Sequence, residues 1–117
     1  MNEQELLKKC LKNKDASADK PFKDKQYRNL IVLRHKSNNK WFGLIFYNKE
    51  NKLSINLKAE PEIISLIKEQ FEAITSAWHM NKAHWCSVEV NGVPQETLDT
   101  LIQKSFDITN SKKKIAK

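Results

Sequence analysis

YRNLIVLRHKSNNKWFGLIFYNKENKLSINLK, residues 27–58, is the stretch on which the fold turns. Leu30-Ile31-Val32-Leu33 is a continuous apolar run, the pattern of a central strand. Ser37-Asn38-Asn39 reads as a turn. Trp41 to Tyr47 is again continuous and rich in aromatics. Asn48-Lys49-Glu50-Asn51 forms the next turn. Lys52 to Lys58 alternates, with Leu53, Ile55 and Leu57 on one side, Ser54 and Asn56 on the other, and Lys at both ends. Such alternation predicts one buried and one wet face. Turns this short join antiparallel neighbours, because parallel strands need long crossovers. The expectation is an antiparallel meander of strands near 27–36, 40–48 and 52–58.

Helical signals flank it. Asn2 and Glu5 are spaced as a capping box, and Leu6, Leu7, Cys10 and Leu11 make one apolar stripe, predicting a helix over 3–13. Residues 13–25 are charged, with small residues in the middle and Pro21 near the end, and read as a loop pinned by Phe22. Pro61 suits the first turn of a helix over 61–71, with Ile63, Ile64, Ile67 and Phe71 inward. Trp85 to Val90 reads as a fourth strand, and Asn91-Gly92 as a turn. Pro94 opens a helix over 94–109 that buries Leu98, Leu101, Ile102, Ser105 and Phe106. The order α-β-β-β-α-β-α predicts an α+β fold, an antiparallel β-sheet packed against helices. One domain over 1–110 is expected, with a basic tail over 111–117 that frays.

A chain of 117 residues can bury a core without disulfides or a structural metal. No run approaches the length of a membrane helix, and the start, Met1 to Glu5, lacks a secretory core. Cys10 and Cys86 make no framework, so the expected compartment is the reducing cytoplasm. The net charge is +7. Residues 26–58 carry seven Lys or Arg against the single acid Glu50, whereas residues 59–77 carry one Lys against four Glu. Basic surface in the middle of the chain attracts polyanions through phosphate; it also serves plain solubility.

The block Trp78-His79-Met80-Asn81-Lys82-Ala83-His84-Trp85 holds two of the three His and two of the three Trp. No hydrophobic period accounts for it. It is either a loop whose polar groups are satisfied locally or a recognition surface. His79, His84 and Cys86 are conceivable zinc ligands, but His-x4-His-x-Cys is not a familiar spacing and no second cluster completes it. Cys86 beside His84, two apart on a strand, offers a nucleophile and base without an orienting third group. With only Gly43 and Gly92, no phosphate-cradling glycine loop exists. No enzyme, cofactor or metal is expected.

The block resembles the central signature of the MmcQ/YjbR family, an aromatic followed by His-Met-Asn-Lys-x-His-Trp. Asn56-Leu57-Lys58 leading into an acidic, Pro-containing helix start is similar to the family pattern, as are Pro21-Phe22 before the sheet and Ser105-Phe106-Asp107 at the last helix. Ala83 departs from it where a second Lys is common, Cys86 replaces a more usual polar residue, and Lys23 stands where Gly is common. The resemblance implies a CyaY-like fold and a DNA-binding role.

The residues themselves fit that role in one way. Arg28, Arg34, Lys36, Lys40, Lys52 and Lys58 lie in or beside strands and interleave with Trp41 and Tyr47, one design for gripping single strands; hairpin wings could instead straddle a duplex. The candidate contacts are Arg34, Lys36, Lys40, Lys52, Lys58 and Lys82, with Asn81 reading a base edge or capping its loop, and His84 reaching phosphate. Trp85 should be largely buried. The expected partner is DNA, bound without strong sequence preference by a monomer. The alternative is a protein-interaction module that uses the His79–His84 loop.

Overall fold

The apolar runs between residues 27 and 58 become the middle of a six-stranded, wholly antiparallel sheet in a computed structural model that describes residues 1–110. The elements are α1 (Glu3–Cys10), β1 (Ala16–Asp19), β2 (Ile31–His35), β3 (Trp41–Tyr47), β4 (Leu53–Lys58), α2 (Pro61–Gln70), β5 (Ile74–Ser76), β6 (Trp85–Glu89) and α3 (Gln95–Ile108). Across the sheet the order is β1-β2-β3-β4-β6-β5. The α+β fold with an antiparallel meander at its centre stands as expected. The expected tail over 111–117 lies outside the described residues.

Two strands escaped the sequence reading. Residues 13–25 are not all loop, because Ala16–Asp19 pairs with β2, from Ala16 opposite His35 to Asp19 opposite Val32. Ile74–Ser76 pairs with β6 at the other edge. The helix ends are trimmed by one to three residues, and Asn91-Gly92 belongs to a short 3-10 turn, Val90–Gly92. The capping box is present, with Asn2 Oδ1 accepting from the Glu5 amide at 2.9 Å and Glu5 Oε1 accepting from the Asn2 amide at 2.9 Å.

One face of the sheet carries the main core. Ile31, Leu33, Ile45, Ile55, Leu57, Cys86 and Val88 pack against Leu6 and Cys10 of α1, Ile64 of α2, and Leu98, Leu101, Ile102 and Phe106 of α3. Each fully buried large aliphatic of this kind contributes about 1.5–3 kcal/mol. The registers Leu33–Gly43 and Arg34–Trp41 leave Phe42 as the extra residue of a bulge. Phe42 meets His35 and Phe106, with ring centroids 5.5 and 5.0 Å away. Buried His35 places Nε2 2.7 Å from Thr109 Oγ1 and Nδ1 3.3 Å from Asp15 Oδ2, tying the end of α3 to the segment before β1. The chain's beginning is also tied to its later part: Lys9 pairs with Asp99, and the Met1 ammonium donates to Asn91 Oδ1 at 2.8 Å.

The second face is not wet, contrary to the reading of β4. Val32, Leu44, Asn56 and Ser87 form a row of paired neighbours across β2, β3, β4 and β6, and all four are buried, as are Phe46 and Ser54. The cover comes from outside the sheet. Tyr27 lies against Trp78 and His79, Trp78 stacks on Phe46, and Phe22 meets Trp41 edge-on at 6.2 Å.

Candidate functional site

The loop that covers the second face is the Trp78–Trp85 block, and buried polar groups of the sheet hold it. Asn56 Nδ2 donates to the Trp78 carbonyl at 2.8 Å, the Trp78 amide donates to Ser87 Oγ at 3.1 Å, and the Ser87 hydroxyl donates to Asn56 Oδ1. Both backbone groups of Trp78 are therefore fixed by two side chains, of which Asn56 had been assigned to solvent by the alternation pattern. The Trp78 ring stacks on Phe46 at 4.7 Å with planes 19° apart. His79 then takes a φ of 59°, the left-handed region, which reverses the chain. Asn81 acts locally. Its Oδ1 accepts from the Ala83 amide at 2.9 Å, and its carbonyl accepts from the His84 and Trp85 amides at 3.2 and 2.9 Å. Of the two roles open to Asn81, the structure displays the capping one. Trp85 is buried, with 9% of its surface exposed, while His79, Asn81, Lys82, Ala83 and His84 face solvent.

The loop separates two cavities. The larger, about 650 Å³, includes Phe46, Ser54, Trp78, Lys82, Ser87 and Glu89 in its lining. The smaller, about 320 Å³, lies at the end of the sheet and is lined by Lys40, Trp41, Lys58, Met80, Trp85, Ile108 and Thr109. Among the described residues no carboxylate belongs to that second lining.

The six predicted contacts do not form one patch. Lys36 and Lys40 sit in the turn between β2 and β3. Lys58 ends β4 opposite Trp85, at the same end of the sheet. Lys52 precedes the other end of β4, about 20 Å away at the rise of a strand. Its ammonium lies 3.4 Å from Glu50 and 3.9 Å from Glu89. Arg34 pairs with Asp19 at 2.9 Å and lies 5.6 Å over the Trp41 ring. Lys82 faces the larger cavity. The structure thus brings Lys40 and Lys58 to one cavity with Lys36 at the same end of the sheet, leaves Lys52 and Lys82 elsewhere, and neutralises Arg34.

The chemistry of the other candidates is now visible. Among the described residues no three His, Cys, Asp or Glu side chains converge on a point where an ion would sit. His84 precedes β6 and is exposed, so it does not share a strand face with Cys86 as read from the sequence. Cys86 is buried, and that burial pushes its thiol up to about 11, far from the thiolate a nucleophile needs. Among the described residues no helix is long and apolar enough to cross a membrane.

A helix-backed antiparallel sheet whose second face carries a loop clamped by Asn56 and Ser87 is the class these residues define. Comparison with known proteins narrows it. The YjbR family model matches residues 11–108. YyaQ of Bacillus subtilis is 32% identical over 119 residues, covering 93% of this chain and 98% of its own length. YjbR of Escherichia coli is 33% identical over 58 residues, about half of each chain at 49%. A crystal structure of a Pseudomonas syringae protein superposes with a TM-score of 0.81 at 30% identity, over 94% of this chain and 100% of that one. A Deinococcus radiodurans protein with a DUF419 domain gives 0.74 at 25% identity, over 88% of this chain and 74% of that one. The chain belongs to the YjbR family.

Proposed function

We propose that the protein binds DNA, without catalysis and with little sequence preference, by contacting phosphates from Lys36, Lys40 and Lys58 at one end of the sheet. The observation that carries this reading is the convergence of Lys40 and Lys58 on a cavity whose lining, among the described residues, holds two aromatics and no carboxylate. Among the described residues these two ammonium groups have no carboxylate partner and so attract an anion, whereas Lys52 and Arg34 already have such partners. Phosphate is the abundant polyanionic group that such a pair contacts without reading sequence. A cytoplasmic setting, with its reduced thiols, accords with this role.

Binding of this kind has a dissociation constant of about 10⁻⁴–10⁻⁶ M at physiological salt and weakens steeply as salt rises. The test is the salt dependence of binding to labelled DNA. Lys40→Ala/Lys58→Ala should lower the slope of log K against log salt by about two, and Lys52→Ala should leave it unchanged. No binding of duplex or single strand at low salt, or an unchanged slope in the double variant, overturns the reading. The protein-interaction reading would then lead, supported by the run of exposed residues in the His79–His84 loop.

A further inference from the structure

Resting on that DNA-binding reading, we infer that the ligand class of the site is single-stranded nucleic acid, with one unpaired base entering the cavity between Trp41, Met80 and Trp85 while Lys40 and Lys58 hold the flanking phosphates. The shape of the site carries this. A duplex carries its phosphates on the outside of a broad convex cylinder, which a pocket of this size cannot enclose. Here the cations rim a concavity of about 320 Å³, within the range of about 300–1,000 Å³ typical of sites that enclose a small organic group. Its lining joins the apolar side chains of Trp41, Met80, Trp85 and Ile108 to the polar Thr109 and the two ammonium groups. A base paired in a duplex shows only its edges, and its faces are covered by its neighbours. Entering such a wall exposes a face, so the base must be unpaired.

Trp41 is placed to receive it. The ring is partly exposed, and it is fixed by the Arg34 guanidinium at 5.6 Å and by Phe22 edge-on at 6.2 Å. A base entering from the cavity would therefore meet a ring whose position is already set. Met80, from the motif loop, supplies a deformable sulfur-bearing wall that fits any of the bases. Stacking on such surfaces tolerates sequence, since every base has a π-face. The low sequence preference and the concave site then have one cause.

The experiment is fluorescence anisotropy at low salt with four labelled probes of about 12 nucleotides, a length in the range that small single-strand-binding domains cover. They are an oligo-dT, an oligo-U, a fully abasic DNA strand, and a duplex. The expected result is tightest binding to the base-bearing single strands, with the abasic strand about tenfold weaker. Trp41→Ala should weaken oligo-dT by a similar factor and leave the abasic strand unchanged. Met80→Ala, which removes the thioether wall at a partly exposed position, should also weaken oligo-dT while sparing the abasic strand, and decides the matter if Trp41→Ala fails to fold. Equal binding of abasic and base-bearing strands, or duplex binding as tight as single-strand binding, overturns this inference while leaving phosphate binding intact. Absence of binding to all four probes overturns the phosphate reading itself, and this inference with it. The relative affinity of oligo-dT and oligo-U assigns the strand to DNA or RNA.

Discussion

The side-chain amide of Asn56 donates to the backbone carbonyl of Trp78 at 2.8 Å, across 22 residues of sequence. Asn56 is fully buried in β4, and Trp78 begins the family motif. The second face of the sheet is therefore a scaffold for the loop.

Asn56→Ala removes a buried donor and acceptor together, leaving the Trp78 carbonyl and the Ser87 hydroxyl without their partner. The cost should be about 1–3 kcal/mol, read as a lower urea midpoint. The Trp78 amide and indole resonances should shift far more than those of α1. A variant as stable as the parent would show that water replaces the amide without penalty.

Trp85→Ala should cost about 3–5 kcal/mol, because the indole is nearly fully covered and its loss opens a void beside Met80 and Lys58. A thermal melt that does not move would place the ring at the surface in solution.

Gly43→Ala adds a Cβ 2.8 Å from Leu33 Cδ1, inside the main core and beside the Phe42 bulge. Leu33 is fully buried, so its side chain has little room to yield. Destabilisation of about 1–3 kcal/mol is expected from overpacking, measured by denaturant unfolding.

The hydrogen bond from the Ser37 hydroxyl at 2.7 Å holds the Asp15 carboxyl below its ordinary value of 3.8, assisted by His35 and then by the Ser37 amide at 3.0 Å. A lowered folded value stabilises the protein above the unfolded value, and that contribution disappears as pH falls through the lowered one. Ser37→Ala should therefore be less stable than the parent above about pH 5, and the two urea midpoints should converge below pH 3.8. A constant difference across that range would mean that the carboxylate is not the linked group.

Burial pushes the Cys10 thiol up to about 12 and that of Cys86 up to about 11. Neither should react with a disulfide reagent at about pH 8 in the folded protein, and both should react once urea unfolds it. Rapid labelling of one thiol in the native state would reveal local opening at that site.

The central strands and the three helices were legible because their patterns are long and apolar. β1 was not, since Ala16-Ser17-Ala18-Asp19 has no β-branched aliphatic or aromatic residue and pairs only through its neighbour β2. β5 has three residues, too few for any period to register. The buried second face was concealed for a different reason. Ser54 and Asn56 signal a wet surface in isolation, and for Asn56 only the distant Trp78 and Ser87 make the position an interior one. Trp78 to Trp85 stood out by composition, but the partners that hold it did not. The scattering of the basic residues could have been foreseen in part, because Lys52 and Lys58 at opposite ends of one strand cannot share a contact. That Arg34 is neutralised by Asp19 required β1, the strand that was missed.

The ties from Lys9 to Asp99 and from Met1 to Asn91 each join residues 90 positions apart. During synthesis at about 5–20 residues per second, the first helix emerges several seconds before the ribosome has made the residues it packs against. For that interval Leu6 and Cys10 have no completed core to enter, and an eight-residue helix is too short to hold its shape alone in water. This helix is thus secured only after residues 91–99 have been made, and until then its apolar stripe is open to capture by a chaperone.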